Sequence, residues 1–168
     1  MTSNTDKKVA LVTGATSPIG SAIAKRLHSD DYQLVLAVNS SSKQGAELAD
    51  QLDAVLIAAD LSDPEGPESL VGDALERAGG IDALVNNAAC QKLEDWSTID
   101  SDKWDEMLDV NLRAAQLLMN TVSDHMVSEQ KAGAIVNISS IEAYQPSASH
   151  SHYAISKAGL LMATKAAA

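Results

Sequence analysis

Five short, nearly continuous apolar runs alternate along this chain with longer segments whose apolar residues recur every three or four positions. The runs "KVALVT" (8–13), "QLVLAV" (33–38), "AVLIAA" (54–59), "IDALVNN" (81–87) and "AIVNIS" (134–139) predict strands. Unbroken apolarity is what a parallel strand needs when helices cover both of its faces. The segments 18–30, 42–52, 63–79 and 101–129 carry helical spacing. Asp63 before Pro64 predicts an N-cap followed by proline at the first helical position. Strands alternating with helices give βαβ units, so the predicted fold is α/β with a doubly wound parallel sheet. Such sheets bind ligands beyond the carboxyl ends of their strands. Residues 1–7 are polar and predict a disordered tail; 8–168 predict one domain with no internal repeat or linker.

Composition narrows the partners. A chain of 168 residues that is 45% hydrophobic can bury the core of one domain. Its net charge of −11 repels nucleic-acid backbones and anionic membrane, so neither is an expected partner. A polyanionic cofactor must then be held by backbone donors, such as those at a helix N-terminus. No apolar stretch reaches membrane-spanning length and the first residues lack a charged-then-apolar leader pattern, which predicts a cytoplasmic protein. The single cysteine, Cys90, cannot form an internal disulfide and reads as a small buried hydrophobe.

Candidate chemistry gathers at the predicted strand ends. The first strand runs into "TGATSPIG" (13–20), where glycines permit a tight turn and let a pyrophosphate approach the backbone. The second ends at Asn39, where NAD-binding sheets commonly place an acid for the ribose 2′-hydroxyl. "NSSSK" (39–43) instead offers an amide, hydroxyls including Ser40, and Lys43, a set that tolerates a 2′-phosphate; a plain polar loop is the competing reading for Lys43. "ADLSD" follows the third strand, with Asp60 and Leu61 placed to bracket an adenine, and "NNAA" (86–89) follows the fourth. Taken singly, these are also ordinary turn chemistry. Asn111 interrupts the apolar helical pattern of "LDVNLRAAQLL", so it either caps a break or holds a polar site. Finally "HYAISKAG" (152–159) sets Tyr153 and Lys157 on one helix face, thirteen residues after Ser140. An ammonium beside a phenol favours the phenolate, which makes a possible acid/base catalyst at neutral pH.

The order TG-x5-G, D-L, N-N-A, N, S, Y-x3-K resembles the short-chain dehydrogenase/reductase family over almost the whole chain. The resemblance implies a Rossmann fold and an NAD(P)H-dependent oxidoreductase that moves a hydride between nicotinamide and a carbonyl or alcohol substrate. It implies that Tyr153 is the acid/base, that Lys157 lowers its pKa and holds the ribose, that Ser140 binds the carbonyl oxygen, and that Asn111 positions a water leading to Lys157. Cofactor contacts are implied for Thr13, Gly14, Thr16, Ser17, Ile19, Gly20, Asn39, Ser40, Asp60, Leu61, Asn87, Ala88 and Ala89, and again for Tyr153 and Lys157. NADP(H) is the expected cofactor, since Asn39 replaces an acid, with NAD(H) possible; no metal is expected. Within the family the stretch around Tyr153 looks most like 3-oxoacyl-acyl-carrier-protein reductases, with pteridine reductases second. Two departures stand out. Pro18 occupies the middle glycine position of the usual TG-x3-G-x-G, and the sequence stops inside the helix bearing Tyr153. The resemblance therefore implies a C-terminally truncated member with five of the usual seven strands, a homo-oligomer (dimer or tetramer) when full-length. A catalytically weak or inactive nucleotide-binding fragment of such an enzyme is the alternative function.

Overall fold

The computed structural model describes residues 7–168; the expected tail at 1–7 lies, Lys7 apart, outside the described residues. Strands β1 (Val9–Thr13), β2 (Gln33–Val38), β3 (Val55–Ala58), β4 (Ala83–Asn86) and β5 (Ala134–Asn137) form one parallel sheet in the order β3-β2-β1-β4-β5. Strand order across the parallel sheet therefore reverses between β1 and β4, and a crevice opens there beyond the strand ends. The doubly wound α/β fold is as the apolar pattern predicts.

Burial follows the two-residue period of a pleated strand. Val9 and Leu11 of β1 join Val35, Ile57 and Leu84 in a core on one face, where α3 (Gly66–Ala78) and α5 (Ala114–Ser128) contribute Leu70, Val71, Leu118 and Val122. Ala10 and Val12 join Leu34, Leu36 and Val85 on the other face, under α1 (Pro18–Ser29) and α2 (Lys43–Leu52). The uninterrupted apolar runs of β1 and β2 thus serve two cores at once. β3 and β5 are the sheet edges and are only partly buried; Val136 of β5 is 49% exposed.

Two expectations needed correction. Asp63 does not cap a helix. Its Oδ1 accepts from the amide of Glu65 (2.9 Å) in a local turn, just as Asp60 Oδ1 accepts from Ser62, and α3 starts only at Gly66 with Pro67 in its first turn. The short acidic side chains satisfied nearby amides before the helix could begin. The segment 101–129 is also not one regular helix: α4 (Ser101–Leu108) passes through a π-helical turn, Asp109–Arg113, into α5. The last helix, α6 (Ser151–Ala167), packs against α4, the π turn and β5. A ladder of amides ties it down: Asn86 Nδ2 donates to Asn137 Oδ1 (2.8 Å) across β4 and β5, and Asn137 Nδ2 donates to Thr164 Oγ1 (2.9 Å).

Candidate active site

At the reversal between β1 and β4 the two strand ends are locked together. Thr13 Oγ1 accepts from the amides of Asn87 and Ala88 (3.0 Å each), while the Asn87 side chain donates back to Thr13 O (2.9 Å) and Gly14 O (3.0 Å) and lies 3.1 Å from Ser17 Oγ. Between them the chain turns sharply through Gly14, at φ +62°, where a Cβ would meet the Ala88 backbone at 2.8 Å. A Cβ on Gly20 would come within 2.3 Å of Gly14 O. Only hydrogen fits at either place, so the first turn of α1 sits directly on the loop that precedes it. Pro18 opens α1 at its first position, as its fixed φ favours, and Ser17 caps the helix by accepting from Gly20 N (3.0 Å).

Above this lock lies a cleft of about 940 Å³. Of the residues singled out from sequence, Gly14, Thr16, Ser17, Ile19, Asn39, Asp60, Leu61, Asn87, Ala88, Ala89, Tyr153 and Lys157 line it. Thr13 and Gly20 lie beneath, forming its floor through the contacts just described. Ser40 is exposed and does not line the cleft. Lys43 points its ammonium at Glu47 (3.5 Å) with its side chain 91% exposed, and it is likewise off the lining. Asp60 belongs to the wall, where the Ser62 hydroxyl (2.6 Å) and amide (2.9 Å) hold its carboxyl below the usual range.

Tyr153 and Lys157 meet the cleft from the first turns of α6. Both are buried, and Lys157 Nζ stands 5.8 Å from the Tyr153 ring centroid. The ammonium donates to Ile138 O (2.9 Å) at the end of β5 and makes no ion pair among the described residues. Desolvation alone lowers its pKa from 10.5 to about 8. The cation is therefore charged at neutral pH but held at a cost. Ser140 caps the short 3-10 turn Ile141–Ala143, its Oγ accepting from Glu142 N (3.1 Å); this turn packs on α6, but the cleft lining at this point is Ser139.

Asn111 resolves differently from a helix break. It sits in the π turn, 1% exposed, with Oδ1 accepting from Cys90 N (2.7 Å) and Nδ2 reaching Cys90 O (2.9 Å) and Ser156 Oγ (3.0 Å). Its side chain clamps the segment after β4 to α6, with both Oδ1 and Nδ2 hydrogen-bonded. Ser156 Oγ in turn donates to Tyr153 O (2.7 Å). The extra residue of a π turn aims Asn111 inward, consistent with such turns occurring at functional sites.

Gln91, Glu106 and Ser139 also line the cleft without having been singled out from sequence, and Cys90, expected as a small buried hydrophobe, is instead half-buried in its wall. Cys90 and Gln91 follow "NNAA" directly, and their place one step beyond a strand end was the available signal. Burial, then the Glu106 carboxylate, push the Cys90 thiol up, so it is protonated at neutral pH.

Comparison with known proteins agrees with this geometry. Residues 8–168 match the sequence profile described as short chain dehydrogenase. The chain belongs to the short chain dehydrogenase family. An acetoacetyl-CoA reductase of Acinetobacter sp. (strain RA3849) is 32% identical over 97% of this chain and 68% of its own length, and the human dehydrogenase/reductase SDR family member 4 is 39% identical over 94% and 58%. Among solved structures, a metagenomic short-chain oxidoreductase in complex with NADP superposes with a TM-score of 0.89 at 32% identity, covering 96% of this chain and 75% of that one. Acetoin dehydrogenase from Salmonella typhimurium gives 0.90 at 30% identity, covering 95% and 65%. The chain thus spans about 58–69% of the length of the curated short chain dehydrogenases it matches.

The buried ammonium has a consequence for stability. A folded-state pKa below the unfolded value means that, between about pH 8 and 10.5, the unfolded chain binds the proton that the folded chain has lost, so stability rises with pH across that window. Relative to Lys157→Met, which has no such group, wild type should gain up to about 3 kcal/mol over this range. Urea unfolding of both chains from pH 7 to 10.5 checks this; parallel stability curves would contradict the assignment.

Proposed function

We propose that this short chain dehydrogenase is an NAD(P)H-dependent carbonyl reductase or alcohol dehydrogenase in which Tyr153 is the acid/base, and that NADP(H) is its preferred cofactor. The observation that carries the reading is that Tyr153 and Lys157 face the same cleft as the Gly14–Gly20 turn and Asn87–Ala89. A dinucleotide fits this chain's residues: Gly14, Thr16, Ser17 and Ile19 line the cleft where α1 begins, and the positive end of that helix favours a pyrophosphate without any basic surface. Asp60 and Leu61 would flank the adenine end, and Asn87 to Ala89 the middle of the cleft. When bound, the nicotinamide supplies or accepts the hydride.

The chain's own residues handle the proton. In reduction Tyr153 Oη gives its proton to the carbonyl oxygen as negative charge develops there, and in oxidation it takes one from the alcohol. The charged Lys157 beside its ring stabilises the anionic oxygen left behind. Ser140 binds the carbonyl oxygen in this reading, and Asn111 fixes the wall and helix that hold Tyr153 in place. The substrate is a small carbonyl or alcohol compound; 3-oxoacyl thioesters are the favoured class, in line with the similarity to an acetoacetyl-CoA reductase. We place the enzyme in the cytoplasm as a homo-oligomer; among the described residues no helix is long and apolar enough to cross a membrane.

Cofactor choice rests on Asn39, the exposed cleft residue where a carboxylate would repel a 2′-phosphate. Tyr153→Phe should abolish reduction of a generic diketone with NADPH while NADPH still binds, as read by cofactor fluorescence; a Phe variant with wild-type turnover would overturn the acid/base role. Asn39→Asp should shift the ratio of NADH to NADPH affinity toward NADH by about tenfold, or about 1.4 kcal/mol. A wild type that already prefers NADH tenfold would overturn the NADP(H) reading.

A further inference from the structure

Between Ser140 and Tyr153 the chain makes a 3-10 turn, an exposed loop through Pro146, and a residue at positive φ, Ser149 (+60°). A loop of this kind would ordinarily be free to move, yet one carboxylate gathers it. Glu142 Oε2 accepts from Ser147 N (2.6 Å), and Oε1 accepts from Ser147 Oγ (2.6 Å) and from His150 Nδ1 (3.2 Å). Both side chains are largely shielded, Glu142 at 11% exposure and His150 at 17%. The cluster connects at each end to a proposed catalytic group. The Glu142 amide donates to Ser140 Oγ, and the His150 ring lies 5.9 Å from the Tyr153 ring at a tilt of 50°. His150 occupies the N-cap position of α6 without capping it, because its imidazole is turned to Glu142.

We propose that Glu142 is a positioning residue for Ser140 and Tyr153: its carboxylate clasps Ser147 and His150 so that the loop joining the two catalytic side chains keeps one geometry. The inference rests on the reductase reading above. Charge-assisted bonds from a single carboxylate to an amide, a hydroxyl and an imidazole are stronger than neutral ones and hold three points of the loop together. The second contact of the loop, Glu94 N to Ser149 O (2.9 Å), fixes it to the segment after β4 but does not touch Ser140. Removing the clasp should therefore loosen the spacing between Ser140 and Tyr153 while leaving the cofactor cradle, on the other side of the cleft, as it was.

The test compares wild type, Glu142→Ala and Glu142→Gln, with Tyr153→Phe as the blank. Readouts are diketone turnover with NADPH, the NADPH dissociation constant by fluorescence, and amide hydrogen exchange over residues 143–153. Glu142→Ala should lower kcat by about tenfold or more, leave the NADPH dissociation constant unchanged, and raise exchange over 144–150. Glu142→Gln keeps one acceptor oxygen and should recover the greater part of the lost rate. Wild-type kcat in Glu142→Ala, unchanged exchange, or a fall in kcat matched by an equal loss of NADPH affinity would overturn the inference. Failure of the underlying reading is distinguishable: a wild type that reduces nothing, or whose reduction survives in Tyr153→Phe, overturns that reading, and the positioning role with it, before any Glu142 variant is compared.

Discussion

The hydrogen-bonded lock between Thr13 and Asn87 is the contact on which the rest of the site depends. It joins the ends of β1 and β4, the two strands between which the strand order of the parallel sheet reverses, and its buried polar groups satisfy one another. Buried polar atoms paired in this way fix a single geometry, because any slip leaves a donor or acceptor unpaired at a cost of about 1–3 kcal/mol. The lock presses the Gly14 turn against Ala88 and brings Ser17 within reach of Asn87. The cradle at the start of α1 and the wall after β4 are thus one object.

A second set of amides places α6 against that object. Asn86, Asn137 and Thr164 run from β4 through β5 to the far part of the helix, while Asn111 holds the helix start through Ser156 and the opposite wall through Cys90. Lys157 closes the arrangement by reaching from α6 to Ile138 O. Burying an ammonium with one carbonyl and no carboxylate is unfavourable for the fold, as its lowered pKa shows. A fold optimised only for stability would not keep this group. Its place beside the Tyr153 ring, in the cleft, is what the proposed chemistry would use.

The fold was legible because β1 and β2 carry unbroken apolar runs, Val9–Val12 and Leu34–Val38, a pattern that a doubly covered parallel strand requires. The order of the motifs along the chain was equally legible, and twelve of the residues it named share one cleft. What was hidden depended on partners distant in sequence or on competing local bonds. Asp63 has the composition of a helix cap, but its carboxylate is satisfied two residues on. Lys43 has the charge for a 2′-phosphate, but the first turn of α2 directs it to Glu47. Asn111 announced an irregularity without its form, since its partners Cys90 and Ser156 lie 21 and 45 residues away. The Glu142 clasp gave no sequence signal, because a lone acid in a polar loop reads as a solvated charge.

In the proposed function the Gly14–Gly20 turn, the Asn87–Ala89 wall and the Tyr153–Lys157 pair form one dinucleotide site. A crystal structure of the chain grown with NADP+ tests it most directly. Pyrophosphate oxygens should lie against the Gly14–Ile19 turn at the start of α1, with the nicotinamide end on the Tyr153 and Lys157 side of the cleft. A cofactor bound elsewhere, or one whose nicotinamide end points away from Tyr153, would contradict it.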